Sequence, residues 1–321
     1  MYSLIVPVYR NAGSIPDLVQ ALHAIDKGLN KRLEVTFVVD GSPDQSHRLL
    51  SDILPRAGFA SRVVLLSRNY GSFAAIRVGL GLAQGPLYAT MSADLQEPPE
   101  LVLDFFRSLE KGDVDVVIGT RLQRSDPLGS RLTAGLFWWA YRRFVVPEMP
   151  RGGVDAFGCN LAFRDHLLHL EESHSSLVAQ LFWLGFRRKF VSYERRERQH
   201  GGSAWTFGMK VEYMMDSTFS FTDLPIRLLF LVGGSGIAFS AILGVVTAVA
   251  RLTGWIAVPG YAATVLVILF FGGMNAFGLG LVGSYAWRAY ENTKRRPHAI
   301  PMKIDEFPSS PKRRGLSSSR G

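Results

Sequence analysis

Short apolar runs alternate with amphipathic stretches over the first third of this 321-residue chain. The runs are typical of strands buried on both faces of a sheet, and five are predicted: Tyr2–Val6, Val35–Val39, Val63–Leu66, Leu87–Met91 and Val114–Ile118. The stretches between them begin with helix-starting residues such as serine or proline. They predict helices over residues 14–29, 43–54, 73–83 and 99–111. This alternation predicts an α/β fold with a mostly parallel sheet and helices on both faces.

Two later segments, Leu228–Ala250 and Tyr261–Trp287, contain no charged residue and no histidine. As helices they would be about 34 Å and 40 Å long, enough to cross a hydrocarbon core of about 30 Å. Buried core helices are the alternative, but uncharged runs of this length favour two membrane spans. The link between the two spans has one basic residue, whereas several basic residues flank the spans on their other sides. This distribution predicts cytoplasmic flanks and a multi-pass protein of the inner membrane.

A helix is also predicted just before the spans, over 207–221, where apolar residues recur at helical spacing. We expect it to lie in the membrane interface, with a surface helix packed on the core as the alternative. The predicted organisation is therefore a cytoplasmic domain over 1–206, a juxtamembrane amphipathic segment over 207–226, a two-helix hairpin over 227–287 and a basic cytoplasmic tail over 288–321.

Charge and cysteine content narrow the class of protein. The chain carries a formal net charge of +9, and the tail holds nine basic against three acidic residues. A basic tail beside apolar segments fits an anionic membrane surface better than nucleic acid. A single cysteine, Cys159, excludes an intramolecular disulfide and a cysteine-rich zinc site. The chain opens on an apolar run without a signal-peptide pattern, so we expect the first domain to stay in the cytoplasm.

Polar loops follow four of the predicted strands. They contain Pro7 to Tyr9, Asp40 to Ser42, Ser67 to Asn69 and Ser92 to Gln96. Open α/β sheets bind ligands at the carboxyl ends of their strands, so these loops predict a binding crevice.

Two of these loops hold carboxylates with definable chemistry. Asp40 could accept hydrogen bonds from a base or a ribose, or it could shape an Asp-Gly turn. Asp94 and Gln96, two positions apart, offer oxygen ligands of the kind preferred by Mg²⁺ or Mn²⁺ when a diphosphate completes the site. The alternative is a loop aspartate that caps the helix near Pro99. Guanidinium groups that suit phosphate recur downstream, at Arg121, Arg131, Arg142, Arg143, Arg195, Arg196 and Arg198.

Nine stretches along nearly the whole chain carry a specific resemblance. They are VPVYRNA (6–12), VVDGS (38–42), SRNYG (67–71), SADLQEPPE (92–100), GTR (119–121), GGVD (152–155), HGGSAWTF (200–207), FTDLPIRL (221–228) and YENTKRRP (290–297). In this order they resemble the polyprenyl-phosphate glycosyltransferases, inverting enzymes of glycosyltransferase family 2 with a GT-A fold. Dolichyl-phosphate mannose synthase and bactoprenol glucosyltransferases belong to that group.

The resemblance implies transfer of a sugar from a nucleotide-sugar, with UDP as the expected carrier, to a membrane polyprenyl phosphate. It implies nucleotide-sugar contacts by Pro7, Tyr9, Asp40, Asn69, Ser92 and Asp94, and a metal, Mg²⁺ or Mn²⁺, on Asp94 and Gln96. The expected acceptor-phosphate ligands are Arg121 and Arg131, followed by Arg196 and Arg198. Asp155 is expected to orient a sugar hydroxyl or act as a base, with a turn residue as the alternative. The catalytic set is thus Asp94, Asp155, Arg121 and Arg131.

Three positions depart from the family pattern. Ser92 replaces the first aspartate of Asp-x-Asp, Val39 replaces a frequent Asp or Asn, and Ala204 replaces a frequent Lys or Arg. Loss of the first carboxylate keeps a catalytically degenerate membrane scaffold open as an alternative. A related membrane glycosyltransferase that uses another acceptor is a further alternative. A processive polysaccharide synthase is disfavoured because Gln-x-x-Arg-Trp is missing, and a nucleotidyltransferase would need no membrane. The glycine-rich spans are compatible with a homo-oligomer.

Overall fold

A computed structural model describes residues 1–122, 139, 141–143, 145–150, 153–196, 207–254 and 260–309. The strands are β1 (Tyr2–Val8), β2 (Leu33–Val39), β3 (Ala60–Leu66), β4 (Leu87–Thr90), β5 (Val116–Arg121), β6 (Phe157–Asn160), β7 (Arg188–Tyr193) and β8 (Pro301–Phe307). The helices are α1 (Ile15–Gly28), α2 (Ser46–Ile53), α3 (Ser72–Leu82), α4 (Pro99–Glu110), α5 (Leu161–Leu168), α6 (Leu177–Trp183), α7 (Phe207–Phe221), α8 (Leu224–Leu252) and α9 (Tyr261–Thr293).

The strands form one mixed sheet in the order β7-β5-β6-β4-β1-β2-β3-β8. Strands β4, β1, β2 and β3 are parallel neighbours, as the alternating pattern predicts. β6 is antiparallel to both β4 and β5, and β8 is antiparallel to β3. The sequence therefore predicted the parallel centre of the sheet but not its antiparallel members.

Apolar side chains leave both faces of the sheet, and each face has its own core. In β1, Leu4 and Val6 belong to the cluster that includes residues of α1 and α4, whereas Ile5 belongs to the cluster of α3, α5 and α6. This division follows from the two-residue period of a strand. The predicted helices on both faces are confirmed.

Two helix starts differ from the prediction. α2 begins at Ser46 rather than Pro43, because Asp44 accepts hydrogen bonds from the Ser46 amide (3.1 Å) and the Ala12 amide (2.9 Å) and holds the intervening turn. Ser14 precedes α1, but its hydroxyl donates to the Asn11 carbonyl instead of capping the helix.

The carboxyl-terminal third is helical. α8 contains a stretch, Leu224–Thr247, that is long and apolar enough to cross a membrane, with a mean hydropathy of 2.2 and 6% of its window buried. In the part of the chain that the structure describes, it is the one helix that meets this criterion. The second span therefore stays a prediction, although α9 extends over 33 residues.

Helix α7 packs against the first domain. The ring of Tyr213 is stacked on that of Tyr141, 5.8 Å between centroids, and Ser217 is fully buried. Asp216, on the same helix, pairs with Arg288 of α9 at 2.9 Å. α7 thus lies between the domain and α9. One face of α7 packs on the core, as the alternative of a surface helix predicts. Its location in a membrane interface stays a prediction.

After α9 the chain returns to the sheet as β8, which pairs with β3 from Ser61 to Leu66. Arg62 binds Glu306 (2.8 Å) and lies 3.6 Å from Glu34, so charged groups fasten β8 as well as backbone hydrogen bonds. Part of the segment predicted as a basic tail is therefore an edge strand of the catalytic sheet.

Candidate active site

The loops after β1, β2 and β3 meet at one edge of the sheet, and Asp40 is their centre. Its carboxylate is 2% exposed and accepts hydrogen bonds from the amides of Tyr70 (2.7 Å) and Gly71 (2.8 Å). Burial raises the pKa of Asp40, and these two amide hydrogen bonds oppose that effect. Asp40 therefore fixes the conformation of the loop that follows β3.

The backbone beside Asp40 passes so close to the loop after β3 that the position has to be glycine. Gly41 has a φ of +55°, and a Cβ there would lie 2.3 Å from the carbonyl carbon of Arg68. The loop after β1 joins the same assembly, since the Arg10 amide donates to Ser42 Oγ at 2.8 Å. The predicted nucleotide-sugar residues Pro7, Tyr9, Asp40 and Asn69 are thus brought to one edge of the sheet. Their contacts with a ligand stay predictions.

The acidic loop after β4 is built around Ser92. Its Oγ lies 2.6 Å from Asp94 Oδ1 and also contacts Glu97 Oε2, and its amide donates to Glu97 at 3.0 Å. Glu97 is 3% exposed. Burial raises the pKa of Glu97, the charges of Asp155 and Asp94 raise it further, and the Ser92 hydrogen bonds oppose them.

Gln96 faces basic residues that follow β7. Its side-chain oxygen accepts a hydrogen bond from Arg195, and its backbone carbonyl accepts one from the Arg196 amide at 3.0 Å. Arg196 itself is exposed and lies 3.6 Å from Glu100. The amide oxygen predicted to bind a metal is therefore engaged by a guanidinium in this structure.

Asp155 and Arg121 form a two-pronged ion pair, in which Nε and Nη2 of the arginine each bind one carboxylate oxygen. Tyr193 Oη donates to Asp155 at 2.7 Å. Burial acts to raise the pKa of Asp155, but the hydrogen bonds and charge of Arg121 outweigh it, so the pKa lies below the usual range. A carboxylate stabilised in this way is a weak base, so the arrangement favours a positioning role for Asp155 over a general-base role.

Most of the predicted residues can be placed. Ser92, Asp94 and Gln96 share one loop, Asp155 pairs with Arg121, and Arg196 lies beside Gln96. Arg131 and Arg198, and the variant position Ala204, lie outside the described residues.

Sequence reasoning missed Glu97, Tyr193 and Arg195 as contacts of these groups. Glu97 stands within the quoted SADLQEPPE stretch, so its charge was a signal that could have been used. Tyr193 has no comparable local signal.

The described side chains do not form a complete metal site by themselves. Over the described ranges, no group of three His, Cys, Asp or Glu residues is arranged to hold an ion. The donors that are present, a carboxylate, a hydroxyl and an amide oxygen, are hard oxygen ligands that fit Mg²⁺ or Mn²⁺ when diphosphate oxygens complete the shell.

Comparison with known proteins gives the family. The model of "Glycosyl transferase family 2" matches residues 3–169. The putative glycosyltransferase CsbB of Bacillus subtilis is 33% identical over 302 residues, which cover 94% of this chain and 91% of that protein. The chain belongs to glycosyltransferase family 2. This family-2 glycosyltransferase is also 31% identical to an undecaprenyl-phosphate 4-deoxy-4-formamido-L-arabinose transferase of Pseudomonas aeruginosa, over 99% of this chain and 96% of that one.

Solved structures resemble the family-2 domain more distantly. Glucosyl-3-phosphoglycerate synthase from Mycobacterium tuberculosis in complex with UDP has a TM-score of 0.47 and 16% identity, over 67% of this chain and 78% of that chain. TarS 1–349 of S. aureus in complex with UDP-GlcNAc has a TM-score of 0.44 and 18% identity, over 64% and 61% of the two chains. The protein is a glycosyltransferase with a GT-A-like α/β fold.

Proposed function

We propose that this glycosyltransferase moves a sugar from a nucleotide-sugar, with UDP as the expected carrier, to polyprenyl phosphate at the cytoplasmic membrane face, with inversion at the sugar carbon. The observation that carries the proposal is that one helix joins the first domain to α9, which has no charged residue from Tyr261 to Trp287. Helix α7 packs on the first domain and, through the Asp216–Arg288 pair, on α9. The name of the Pseudomonas relative supports the acceptor.

The return of the chain to the sheet supports a two-span hairpin. β8 belongs to the same sheet as β1 to β7, so the segments before α8 and after α9 lie on one side of any membrane. If α8 crosses, the chain has to cross back before β8, and α9 is the described helix in that interval. In the proposed topology the crevice and the carboxyl-terminal strand share one side of the membrane, and the basic flanks of the two helices favour the cytoplasmic side.

The proposed reaction is a direct displacement. An oxygen of the lipid phosphate attacks the anomeric carbon of the sugar, the bond from that carbon to the donor diphosphate breaks, and the nucleoside diphosphate leaves with the electron pair. A phosphate monoester already carries about −1.5 charge near neutral pH, so it needs little help from a base. This agrees with an Asp155 that is occupied by Arg121 and Tyr193.

Positioning and charge neutralisation are therefore the main contributions of the protein. Arg121 is held by Asp155 through Nε and Nη2, and we assign this fixed guanidinium to an acceptor oxygen. Arg196 is exposed near the crevice, and Arg131 and Arg198 complete the proposed acceptor set. Asp94, Ser92 and Gln96 would hold the divalent cation. When bound, the cation would neutralise charge on the leaving diphosphate.

The test is transfer by the full-length protein in detergent, supplied with undecaprenyl phosphate, Mn²⁺ and a panel of radiolabelled UDP-, GDP- and dTDP-sugars. Labelled lipid from one donor, lost with EDTA and lost in Asp94→Asn, is the expected result. Asp52→Asn is the matched control, because Asp52 lies on the surface of α2 in a weak pair with Arg48, 3.9 Å apart. A protein that neither binds a nucleotide nor transfers any of these sugars would favour the scaffold alternative.

A further inference from the structure

Glu97 is a carboxylate buried in the acidic loop. It is 3% exposed, and among the residues that the structure describes no Lys, Arg or His forms an ion pair with it. The charges that act on it, those of Asp155 and Asp94, are both negative. Burying the charge of a carboxylate is costly, and a positive group near it would offset that cost.

The contacts of Ser92 indicate where that positive group would lie. A serine hydroxyl has one proton, but Ser92 Oγ contacts carboxylate oxygens of both Glu97 and Asp94, the latter at 2.6 Å. When the proton points to Glu97, a lone pair of Ser92 Oγ is turned towards Asp94 Oδ1, which also accepts a hydrogen bond from the Gln96 amide at 3.4 Å. The divalent cation of the proposed donor site would bind beside these two oxygens.

We propose that Glu97 replaces, through the Ser92 hydroxyl, the negative charge that an aspartate at position 92 would give to the divalent cation of the donor site. By accepting the serine proton, Glu97 turns the lone pairs of Ser92 Oγ towards the cation and makes a neutral ligand more negative. Ser92 and Glu97 together then have the formal charge of a single aspartate. Glu97 is a positioning residue, and its role rests on the proposed function.

A purely structural role for Glu97 is separable from this one. Its Oε2 also accepts a hydrogen bond from the Ser92 amide at 3.0 Å, which helps to fix the turn before α4. Glu97→Gln keeps an acceptor for that amide and removes only the charge. A structural role therefore predicts unchanged metal affinity in E97Q, whereas the charge role predicts a loss.

The experiment measures Mn²⁺ binding to the full-length protein in detergent with saturating UDP, by the electron paramagnetic resonance signal of free Mn²⁺. E97Q is expected to weaken Mn²⁺ binding about tenfold, in the range of a lost charge-assisted contact. Ser92→Asp in the E97Q background is expected to restore it to within about threefold of the unmodified protein. Asp104→Asn, which removes an exposed charge of α4, is the control and should bind Mn²⁺ normally.

The single variant Ser92→Asp is expected to be less stable than the unmodified protein. It places a second carboxylate against Glu97, so the melting temperature without Mn²⁺ should fall, and E97Q should restore it. E97Q with unchanged Mn²⁺ affinity overturns the proposal, as does a folded double variant that fails to regain it. If E97Q does not fold, the comparison of S92D with S92D/E97Q decides alone.

Failure of the proposed function has a different signature. An unmodified protein that neither transfers sugar nor binds Mn²⁺ with UDP would overturn both proposals. Transfer by the unmodified protein together with normal Mn²⁺ binding by E97Q would overturn the role of Glu97 alone.

Discussion

The ion pair of Arg121 and Asp155 predicts a loss of stability in Asp155→Asn, and the burial of the pair sets its magnitude. Asp155→Asn removes the negative charge and turns an amide NH₂ group towards the guanidinium, so that donors face each other. The side chains of Arg121 and Asp155 are only 18% and 15% exposed. Breaking a buried pair costs about 3–5 kcal/mol, and we take about 3 kcal/mol because both groups keep some water.

The assay is thermal unfolding of the full-length protein in detergent. At about 2–4 °C per kcal/mol for a domain of this size, Asp155→Asn should lower the melting temperature by about 6–12 °C. Asp52→Asn is the control, since Asp52 pairs with Arg48 at the surface, where both side chains are more than half exposed, and should change little. The double variant Arg121→Met with Asp155→Asn should lose less stability than Asp155→Asn, because it leaves no unpaired charge.

The pH dependence of this difference has a defined sign. The pKa of Asp155 is lower in the folded protein than in the unfolded chain. Its stabilising contribution is therefore complete above the unfolded value of about 3.9 and is lost as the pH falls through the folded value. The gap between the unmodified protein and Asp155→Asn should be constant from neutral pH down to mild acid and then close. A gap no larger than that of Asp52→Asn at neutral pH would refute the reasoning.

Three further predictions concern the nucleotide loop and the topology. Asp40→Asn can accept only one of the two amide hydrogen bonds, so UDP affinity measured by calorimetry should fall about tenfold, with Asp52→Asn unchanged. A chain that ends at His298 loses β8 and the hydrogen bond from the Ser67 amide to the Ile300 carbonyl. It should melt earlier and bind UDP more weakly than a chain that ends at Ser309, and equal UDP binding would contradict the link. In intact cells a membrane-impermeant maleimide should label Thr253→Cys but not Ser309→Cys, and labelling of both would exclude the hairpin. Cys159 gives no background, because it is fully buried and burial raises the pKa of its thiol.

Local pattern was sufficient for β1 to β5 and insufficient for the internal strand β6 and for the two edge strands. β1 to β5 are short apolar runs, and their period and spacing determine both strand and helix positions. β7 and β8 are edge strands of the sheet with charged and exposed side chains, for example Lys189 and Lys303. Such strands are fixed by backbone pairing with distant segments, and no local period marks them.

The same distinction applies to the site. The ends of parallel strands share one edge, so Asp40 and Asp94 could be placed in a crevice from sequence alone. Their partners could not, because these contacts join residues far apart in the chain. Gln96 and Arg195 are 99 positions apart, and Asp155 and Tyr193 are 38 apart. The hydrogen bonds that Asp40 accepts from backbone amides could not be predicted either, since backbone donors leave no signal in a sequence.

The charges of the crevice are divided in a way that bears on its chemistry. Arg121 and Asp155 neutralise each other, Asp40 is satisfied by backbone amides, and Arg195 is engaged by Gln96. The acidic loop contributes the carboxylates of Asp94 and Glu97, and Arg195 and Arg196 lie beside it on Gln96. Both reactants of the proposed transfer, a diphosphate and a lipid phosphate, are also anionic. A divalent cation held by the acidic loop would offset part of this negative charge, in agreement with the proposed role of Asp94, Ser92 and Gln96.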